Sequence, residues 1–230
     1  MVIVITGTRK GIGKELAEYF SSAEHFVIGC SRGGAQVENS YYEHHSLDIT
    51  DEIGVKNFFS MLRKKHGTID VLINNAAINN ALAPIALVSY NAAASTLNTN
   101  ILGSFLMARE SIKLMMNKKF GRIINMGSMA VKYEEKGEAI YTASKAGVIA
   151  MTKILAKEVY QYGITCNVIS PSAIKTDLMD NIDLNALNVV LKRNAIPEMA
   201  TTKELIDIIN FLISPQANKI TGQHIYLGGV

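Results

Sequence analysis

The sequence predicts an α/β domain in which a doubly wound parallel sheet of about seven strands is flanked by helices on both faces. Short runs rich in β-branched residues alternate with longer amphipathic stretches, which is the order of repeated βαβ units. Most of the short runs are continuously apolar, as strands are when both faces of a parallel sheet are covered. No repeat and no Pro/Ser-rich linker divides the 230 residues, so we expect one domain over residues 1–230.

The predicted strands are, in order, VIVITG, HFVIGCS, SYYEHHSLDI, DVLINNAA, RIINMGS, ITCNVISP and HIYLGG. The connection between the second and third strands, RGGAQVENS, is abnormally short. A parallel crossover normally takes about a dozen residues or more. We therefore expect its helix to be missing or reduced to a turn, which leaves that face of the sheet thinly covered.

Composition excludes several classes of protein. The chain has 23 basic and 20 acidic residues, and no basic run is long enough to follow a nucleic-acid backbone. No apolar run approaches the roughly 20 residues that cross a bilayer, and VIVITG after Met1 lacks the charged n-region and cleavage site of a signal peptide, so we expect a soluble cytoplasmic protein. Cys30 and Cys166 lie in apolar strand runs and are interpreted as core residues, with neither a disulfide framework nor a metal site.

A glycine-rich loop, TGTRKGIG at residues 6–13, joins the first strand to the first helix. Glycines at such a position permit positive φ and let the backbone approach a pyrophosphate, while the helix N-terminus faces the anion. The order of strand, loop and helix predicts a dinucleotide site on a Rossmann-type fold. The alternative is a purely structural turn.

The residues after the second strand distinguish between two nicotinamide cofactors. A carboxylate at this point would bind the ribose hydroxyls of NAD, but the sequence reads CSRGG, with Arg32 and no acid nearby. Arg32, with Lys10 and Arg9 from the glycine loop, can form a cationic pocket for a 2′-phosphate. NADP(H) is therefore favoured over NAD(H). The alternative is that these three side chains are solvated surface charges.

Three side chains form a candidate proton-transfer site. Tyr141 and Lys145 are four residues apart, so on a helix they share one face. A phenol is a poor acid or base at neutral pH, but a nearby ammonium favours its ionised form. Ser128, at the end of RIINMGS, can offer a hydroxyl to the same substrate oxygen. The alternative for the pair alone is a solvated lysine beside a half-buried tyrosine.

Taken together, these motifs resemble the short-chain dehydrogenase/reductase family over essentially the whole chain. TGTRKGIG corresponds to the family's TGxxxGxG, and NNAA at residues 74–77 to its NNAG. Asn100 in NTNILGSF matches the family's catalytic asparagine, and Ser128, Tyr141 and Lys145 match its serine and YxxxK. Among subfamilies the chain looks most like the 3-oxoacyl-carrier-protein reductases, notably in KKFGRIINMGS and YTASKAG.

The resemblance implies a role for each catalytic residue. Tyr141 would be the general acid in carbonyl reduction, and Ser128 would hydrogen-bond the substrate oxygen. Lys145 would lower the pKa of the tyrosine and bind the nicotinamide ribose, and Asn100 would hold a water in a proton relay. Two alternatives are structural: Asn100 can satisfy backbone groups in a helix kink, and Ser128 can be an ordinary serine at a strand end.

The resemblance also implies a set of cofactor contacts. Asp48 and Ile49 would contact the adenine, although Asp48 can instead cap the helix that begins near Thr50. Two positions depart from the family pattern: Ala77 and Ser172 each replace a glycine, from which we expect altered affinity rather than an inactive site. The implied cofactor-binding residues are Gly7, Arg9, Lys10, Ile12, Arg32, Asp48, Ile49, Asn75, Tyr141, Lys145, Ile174 and Thr176.

Substrate choice is less constrained. Residues 177–200 fit a mobile lid over the site. The carrier-protein reductases commonly present arginines to their acidic carrier at positions that are Lys119 and Tyr162 here, so an acyl substrate linked to a carrier protein or to CoA is one expectation. A sugar, polyol or secondary-metabolite carbonyl fits as well, and a non-catalytic NADP(H)-binding sensor remains as an alternative of another class.

The assembly is expected from the resemblance. The family usually forms homodimers or homotetramers through the helices read here as residues 103–117 and 142–162. Ala143, Ala146 and Ala150 would let such helices approach closely, although packing against the protein's own sheet explains the same residues.

Overall fold

A computed structural model describes residues 1–174 and 191–229 of the chain. Its seven strands form one parallel sheet in the order β3-β2-β1-β4-β5-β6-β7, which confirms the predicted fold class. The strands are β1 Val2–Thr6, β2 Phe26–Ser31, β3 Tyr42–Ser46, β4 Val71–Asn74, β5 Gly121–Met126, β6 Ile164–Pro171 and β7 His224–Leu227.

Helices pack on both faces of the sheet. One apolar cluster places α1 and α7 against one face, and a second places α2, α4 and α6 against the other. The described helices are α1 Gly11–Ser22, α2 Glu52–His66, α3 Tyr90–Leu97, α4 Ser104–Lys118, α5 Ala130–Tyr133, α6 Ala139–Val159 and α7 Thr202–Ile213.

The short connection between β2 and β3 contains no helix, as its length predicts. A cavity of about 720 Å³ lies where a crossover helix would pack, between α1 and residues 35–39. The side chains of β3 are accordingly only half-buried, whereas those of β4 are fully buried. The edge of the sheet next to β2 is therefore thinly covered.

Three further expectations concern the described residues. Cys30 and Cys166 are unpaired and buried, and burial raises the pKa of each thiol to about 12, so both are core residues. No helix in the described ranges is long and apolar enough to cross a membrane, and no metal-binding cluster of His, Cys, Asp or Glu occurs there. The predicted lid falls largely outside the described residues and stays a prediction.

Candidate active site

The candidate site lies at the carboxyl ends of the strands, where the strand order reverses between β1 and β4. Ligands of doubly wound sheets bind at such a switch point. A cleft of about 690 Å³ opens there, a volume typical of cofactor sites. It is lined by the predicted cofactor residues Gly7, Arg9, Lys10, Ile12, Arg32, Asp48, Ile49, Asn75, Tyr141 and Ile174. Lys145, also predicted to bind the cofactor, is buried and is not in this lining, and Thr176 lies outside the described residues.

Close packing explains the glycines of the loop. Gly7 has φ +77°, a conformation that side chains with a Cβ rarely adopt. A Cβ at Gly13 would overlap the carbonyl oxygen of Gly7 and come within 2.5 Å of Nδ2 of Asn75. Asn75 in turn donates from Nδ2 to the carbonyl oxygen of Thr6 at 3.0 Å. The loop is therefore shaped by backbone that has no room for a side chain.

The N-terminus of α1 is open to an anion. Lys10 occupies the N-cap position without a side-chain cap, and no acidic residue lies in the first turn. The unpaired N–H groups and the positive end of the helix dipole are then available to phosphate oxygens. Residues 6–13 thus fit a pyrophosphate, as the sequence predicts.

The end of β2 carries positive charge. Arg32 is exposed at the rim of the cleft, and the Arg9 guanidinium reaches across to the same turn, with Nη1 3.4 Å from where a Cβ of Gly33 would lie. Lys10 adds a third cation to the lining. This cluster fits a 2′-phosphate and offers no carboxylate to a ribose 2′-hydroxyl at the β2 end.

Asp48 does not cap a helix. Its Oδ1 accepts hydrogen bonds from the N–H of Thr50 at 2.9 Å and from its hydroxyl at 2.8 Å, whereas Asp51 caps α2 through the N–H of Ile53 at 3.0 Å. The capping alternative is therefore wrong. Asp48 lines the cleft beside the buried Ile49, which is consistent with the implied adenine contact.

Tyr141 and Lys145 share one face of α6, as their spacing predicts. Lys145 is buried, and its Nζ lies 5.8 Å from the centroid of the Tyr141 ring. Nζ donates a hydrogen bond of 2.8 Å to the carbonyl oxygen of Met126 at the end of β5. This bond fixes the ammonium beside the phenol.

Burial governs the protonation of both side chains. It lowers the pKa of Lys145 to about 8, because burial disfavours the charged ammonium. It raises the pKa of Tyr141, opposed by the Ser128 hydroxyl and reinforced by the charge of Glu138. The net shift of the Tyr141 pKa is therefore upward, and the lowering by Lys145 that the resemblance implies stays a prediction. A phenol with a raised pKa stays protonated at neutral pH, but it is a weaker acid than one whose pKa lies near the working pH.

Ser128 follows β5 and lies near Tyr141, whose pKa its hydroxyl lowers. Its Oγ also accepts a hydrogen bond from the N–H of Ala130 at 3.1 Å, at the start of α5. The structural alternative and the catalytic one are thus compatible. A hydroxyl that accepts from the backbone can still donate its proton to a substrate oxygen.

Asn100 lies in a π-helical segment, Asn98–Gly103, that joins α3 to α4. The side chain is buried, with Oδ1 accepting from the N–H of Ile78 and Nδ2 donating to its carbonyl oxygen, both at 2.9 Å. Nδ2 also donates to Ser144 Oγ at 2.9 Å, and that hydroxyl donates to the carbonyl oxygen of Tyr141 at 2.6 Å. Asn100 therefore ties the cleft wall to the tyrosine helix, a contact chain in which sequence reasoning missed Ser144.

Glu138 was also missed, and it yields a prediction of pH dependence. A phenol that donates a proton is active while protonated, so the rate of reduction falls as pH rises through the pKa of Tyr141. Because the charge of Glu138 raises that pKa, Glu138→Gln should move the fall to lower pH. The measurement is kcat against pH, with Glu134→Gln in the same loop as control. A shift to higher pH, or an equal shift in the control, would contradict it.

The serine that replaces a family glycine has a structural role. Ser172 lines the cleft, and its Oγ accepts a hydrogen bond from the N–H of Ala200 at 3.1 Å. Ala200 also pairs with Ile174, so the chain after residue 191 is anchored beside the cofactor cleft. Ala77, the other departure, lies exposed in the cleft lining. Neither side chain obstructs the glycine loop.

The sheet and the cleft define a dinucleotide-binding protein of the Rossmann type, with Ser128, Tyr141 and Lys145 as a candidate proton-transfer site. The chain belongs to the short-chain dehydrogenase/reductase family. The family model described as enoyl-(acyl carrier protein) reductase matches residues 7–229.

Relatives and solved structures agree with this assignment. The chain is 35% identical to a 3-oxoacyl-[acyl-carrier-protein] reductase of Buchnera aphidicola subsp. Baizongia pistaciae, over 99% of this chain and 96% of the relative. It is 31% identical to the corresponding Escherichia coli K12 enzyme, with the same coverage. Among solved structures, ElxO with NADP bound has a TM-score of 0.89 at 28% identity, covering 98% of this chain and 96% of that chain. A 4-hydroxyisoleucine dehydrogenase complexed with NADH has a TM-score of 0.88 at 28% identity, covering 99% and 97%.

Proposed function

We propose that this protein is an NADPH-dependent oxidoreductase that reduces a carbonyl group to an alcohol. The observation that carries the proposal is one cleft that combines an open helix N-terminus, a cationic rim and a protonated Tyr141. Relatives of nearly equal length are named as 3-oxoacyl reductases, and one neighbouring structure binds NADP. One neighbouring structure is complexed with NADH and another with NADP, so the fold alone does not set the preference, and we assign it here to Arg32 and Arg9.

Tyr141, Ser128 and Lys145 have separate roles in the proposed reaction. NADPH, when bound, supplies a hydride to the carbonyl carbon of the substrate. Tyr141 donates its phenolic proton to the carbonyl oxygen, and Ser128 donates a hydrogen bond to the same oxygen. Lys145, held on the carbonyl of Met126, lies near enough to stabilise the phenolate that remains.

For the substrate we propose a 3-oxoacyl thioester carried on a protein or on CoA, with sugar, polyol or secondary-metabolite carbonyls as the alternative. The names of the relatives support the thioester. Lys119 is exposed, and it adjoins Gly163, next to Tyr162. It keeps one positive charge of the implied carrier site. Lys119 precedes β5 and Ser128 follows that strand. The two residues therefore lie roughly 20 Å or more apart within one chain.

We further propose a homodimer or homotetramer assembled through α4 and α6. Apolar side chains on these helices, Leu102 just before α4, Phe105 and Ile154, are 52%, 39% and 54% exposed. Ala143 and Ala150 are exposed too, so packing on the protein's own sheet does not account for them. Light scattering that gives the mass of one chain would exclude the assembly. The buried, unpaired thiols suit a cytoplasmic protein.

The proposed function is tested by following NADPH oxidation with a small 3-oxoacyl thioester. Turnover would support both the activity and the substrate class, and a rate that rises with a carrier-linked substrate would support docking. Turnover only on sugar or secondary-metabolite carbonyls would move the substrate to the alternative class. NADPH binding without turnover on any of these carbonyls would favour a sensor, and no binding of either nucleotide would overturn the proposal.

A further inference from the structure

A hydrogen-bonded chain lies behind the cationic rim of the cleft. Tyr42 and His44 extend from β3 toward β2 and the glycine loop, and neither lines the described cleft. The Tyr42 hydroxyl lies 2.9 Å from Thr8 Oγ1 and 2.9 Å from Nδ1 of His44. On the other side of the ring, Nε2 of His44 lies 2.9 Å from the carbonyl oxygen of Gly33. One imidazole therefore joins two separate loops.

The direction of these bonds follows from their acceptors. A carbonyl oxygen only accepts hydrogen bonds. Nε2 of His44 therefore carries a proton and donates a hydrogen bond to the carbonyl oxygen of Gly33. In the neutral ring Nδ1 is then an acceptor, and the Tyr42 hydroxyl lies within hydrogen-bond distance of both Nδ1 and Thr8 Oγ1. Ser31 reinforces the same point, because its Oγ donates to the carbonyl oxygen of Gly33 at 2.5 Å.

Strand β2 leaves room for these hydrogen-bonded side chains. Gly29 lies in β2 directly opposite the two hydroxyls, and a Cβ there would overlap the Tyr42 hydroxyl and lie 2.5 Å from Thr8 Oγ1. The φ of Gly29 is not in the positive region, so space rather than backbone conformation excludes other residues. β2 and β3 thus accommodate a polar connection within the apolar sheet.

The two loops that these hydrogen bonds join carry the cations of the rim. Thr8 is buried and immediately precedes Arg9 and Lys10, while Gly33 immediately follows Arg32. The segment from Arg32 to Tyr41 has no helix of its own to hold it. The hydrogen bonds at Gly33, together with a bond of 3.3 Å from Ser46 Oγ to the carbonyl oxygen of Arg32, therefore hold the turn that bears Arg32.

We propose that His44 is a positioning residue for cofactor choice: by joining Thr8 to Gly33 it holds Arg9 and Arg32 at the spacing that binds a 2′-phosphate. The proposal rests on the proposed function, in which NADPH is the cofactor. His44 touches no phosphate itself. Loss of the His44 side chain lets the two arginines move apart. It therefore weakens the binding of NADPH, whose 2′-phosphate they contact, and leaves the binding of NADH almost unchanged.

The test compares dissociation constants of NADPH and NADH, measured by nicotinamide fluorescence, in matched variants. His44→Leu should raise the dissociation constant of NADPH about tenfold, as expected for the loss of one to two hydrogen bonds. It should raise that of NADH less than about twofold. His44→Gln keeps a donor near the position of Nε2 and should restore most of the NADPH affinity. Tyr42→Phe leaves the bond to Gly33 in place and should weaken NADPH by about threefold.

Two controls isolate the effect. His45→Leu changes the next residue of β3, whose ring faces Glu43 and Phe58 on the other side of the sheet, and it should leave both constants unchanged. Arg32→Ala removes a cation directly and should reproduce the selective loss of NADPH.

The outcomes separate the two proposals. An unchanged ratio of the two constants in His44→Leu, or an equal loss of both nucleotides, would overturn the positioning role. If His44→Leu does not fold, an unchanged ratio in Tyr42→Phe overturns it. A wild-type protein that binds no NADPH would overturn the proposed function instead.

Discussion

Tyr141→Phe is expected to reduce turnover by about 10²- to 10⁴-fold, which is the usual contribution of a positioned acid or base. The substitution removes only the hydroxyl of a side chain that is half-buried in the cleft wall. Lys145 keeps its bond to Met126, and the glycine loop is untouched. NADPH binding should therefore remain within about threefold of the wild-type value. A variant that still binds NADPH but no longer reduces the substrate would identify the phenol as the proton donor.

The control for this variant is Tyr160→Phe, at a residue that is 68% exposed just beyond the end of α6. It makes the same chemical change far along the helix from the cleft, and it should leave kcat unchanged. Wild-type turnover in Tyr141→Phe would refute the assignment. A loss of NADPH binding equal to the loss of turnover would show that the hydroxyl serves the cofactor rather than the reaction.

Local properties of this fold are predictable from the sequence. Apolar runs between amphipathic stretches identify buried strands, and the short link after β2 predicts a missing helix because length alone excludes a crossover. Tyr141 and Lys145 meet because four residues make about one helical turn. Each inference needs only neighbouring residues and the geometry of one element.

The features that the sequence does not predict depend on distant residues. The pKa of Tyr141 is raised because burial outweighs the Ser128 hydroxyl, and burial is set by the whole cleft. The Asn100 side chain bonds to Ile78 and Ser144, which are remote in the sequence. In the run SYYEHHSLDI, His44 is indistinguishable from His45, because only the fold decides which ring faces the cofactor side.

Gly13→Ala is expected to lower kcat/KM for NADPH by about 10²-fold, since a misplacement of roughly 1 Å at a positioned site has an effect of that size. The new Cβ would overlap the carbonyl oxygen of Gly7 and push against Nδ2 of Asn75, so the loop must move away from the place where a pyrophosphate binds. The same overlap strains the folded state, and we expect about 1–3 kcal/mol of destabilisation. Thermal unfolding and NADPH titration on the same sample measure both effects.

Gly34→Ala is the matched control, because a Cβ at Gly34 meets nothing within 4 Å and the residue needs no positive φ. It should leave kcat/KM and the melting temperature unchanged. If Gly13→Ala binds NADPH as tightly as the wild type, the loop is not the pyrophosphate site. If its affinity falls only as far as its stability predicts, with the folded fraction binding normally, the glycine serves packing of α1 on the sheet and not the cofactor. A loss of affinity in fully folded protein is the result that the geometry of Gly7, Gly13 and Asn75 requires.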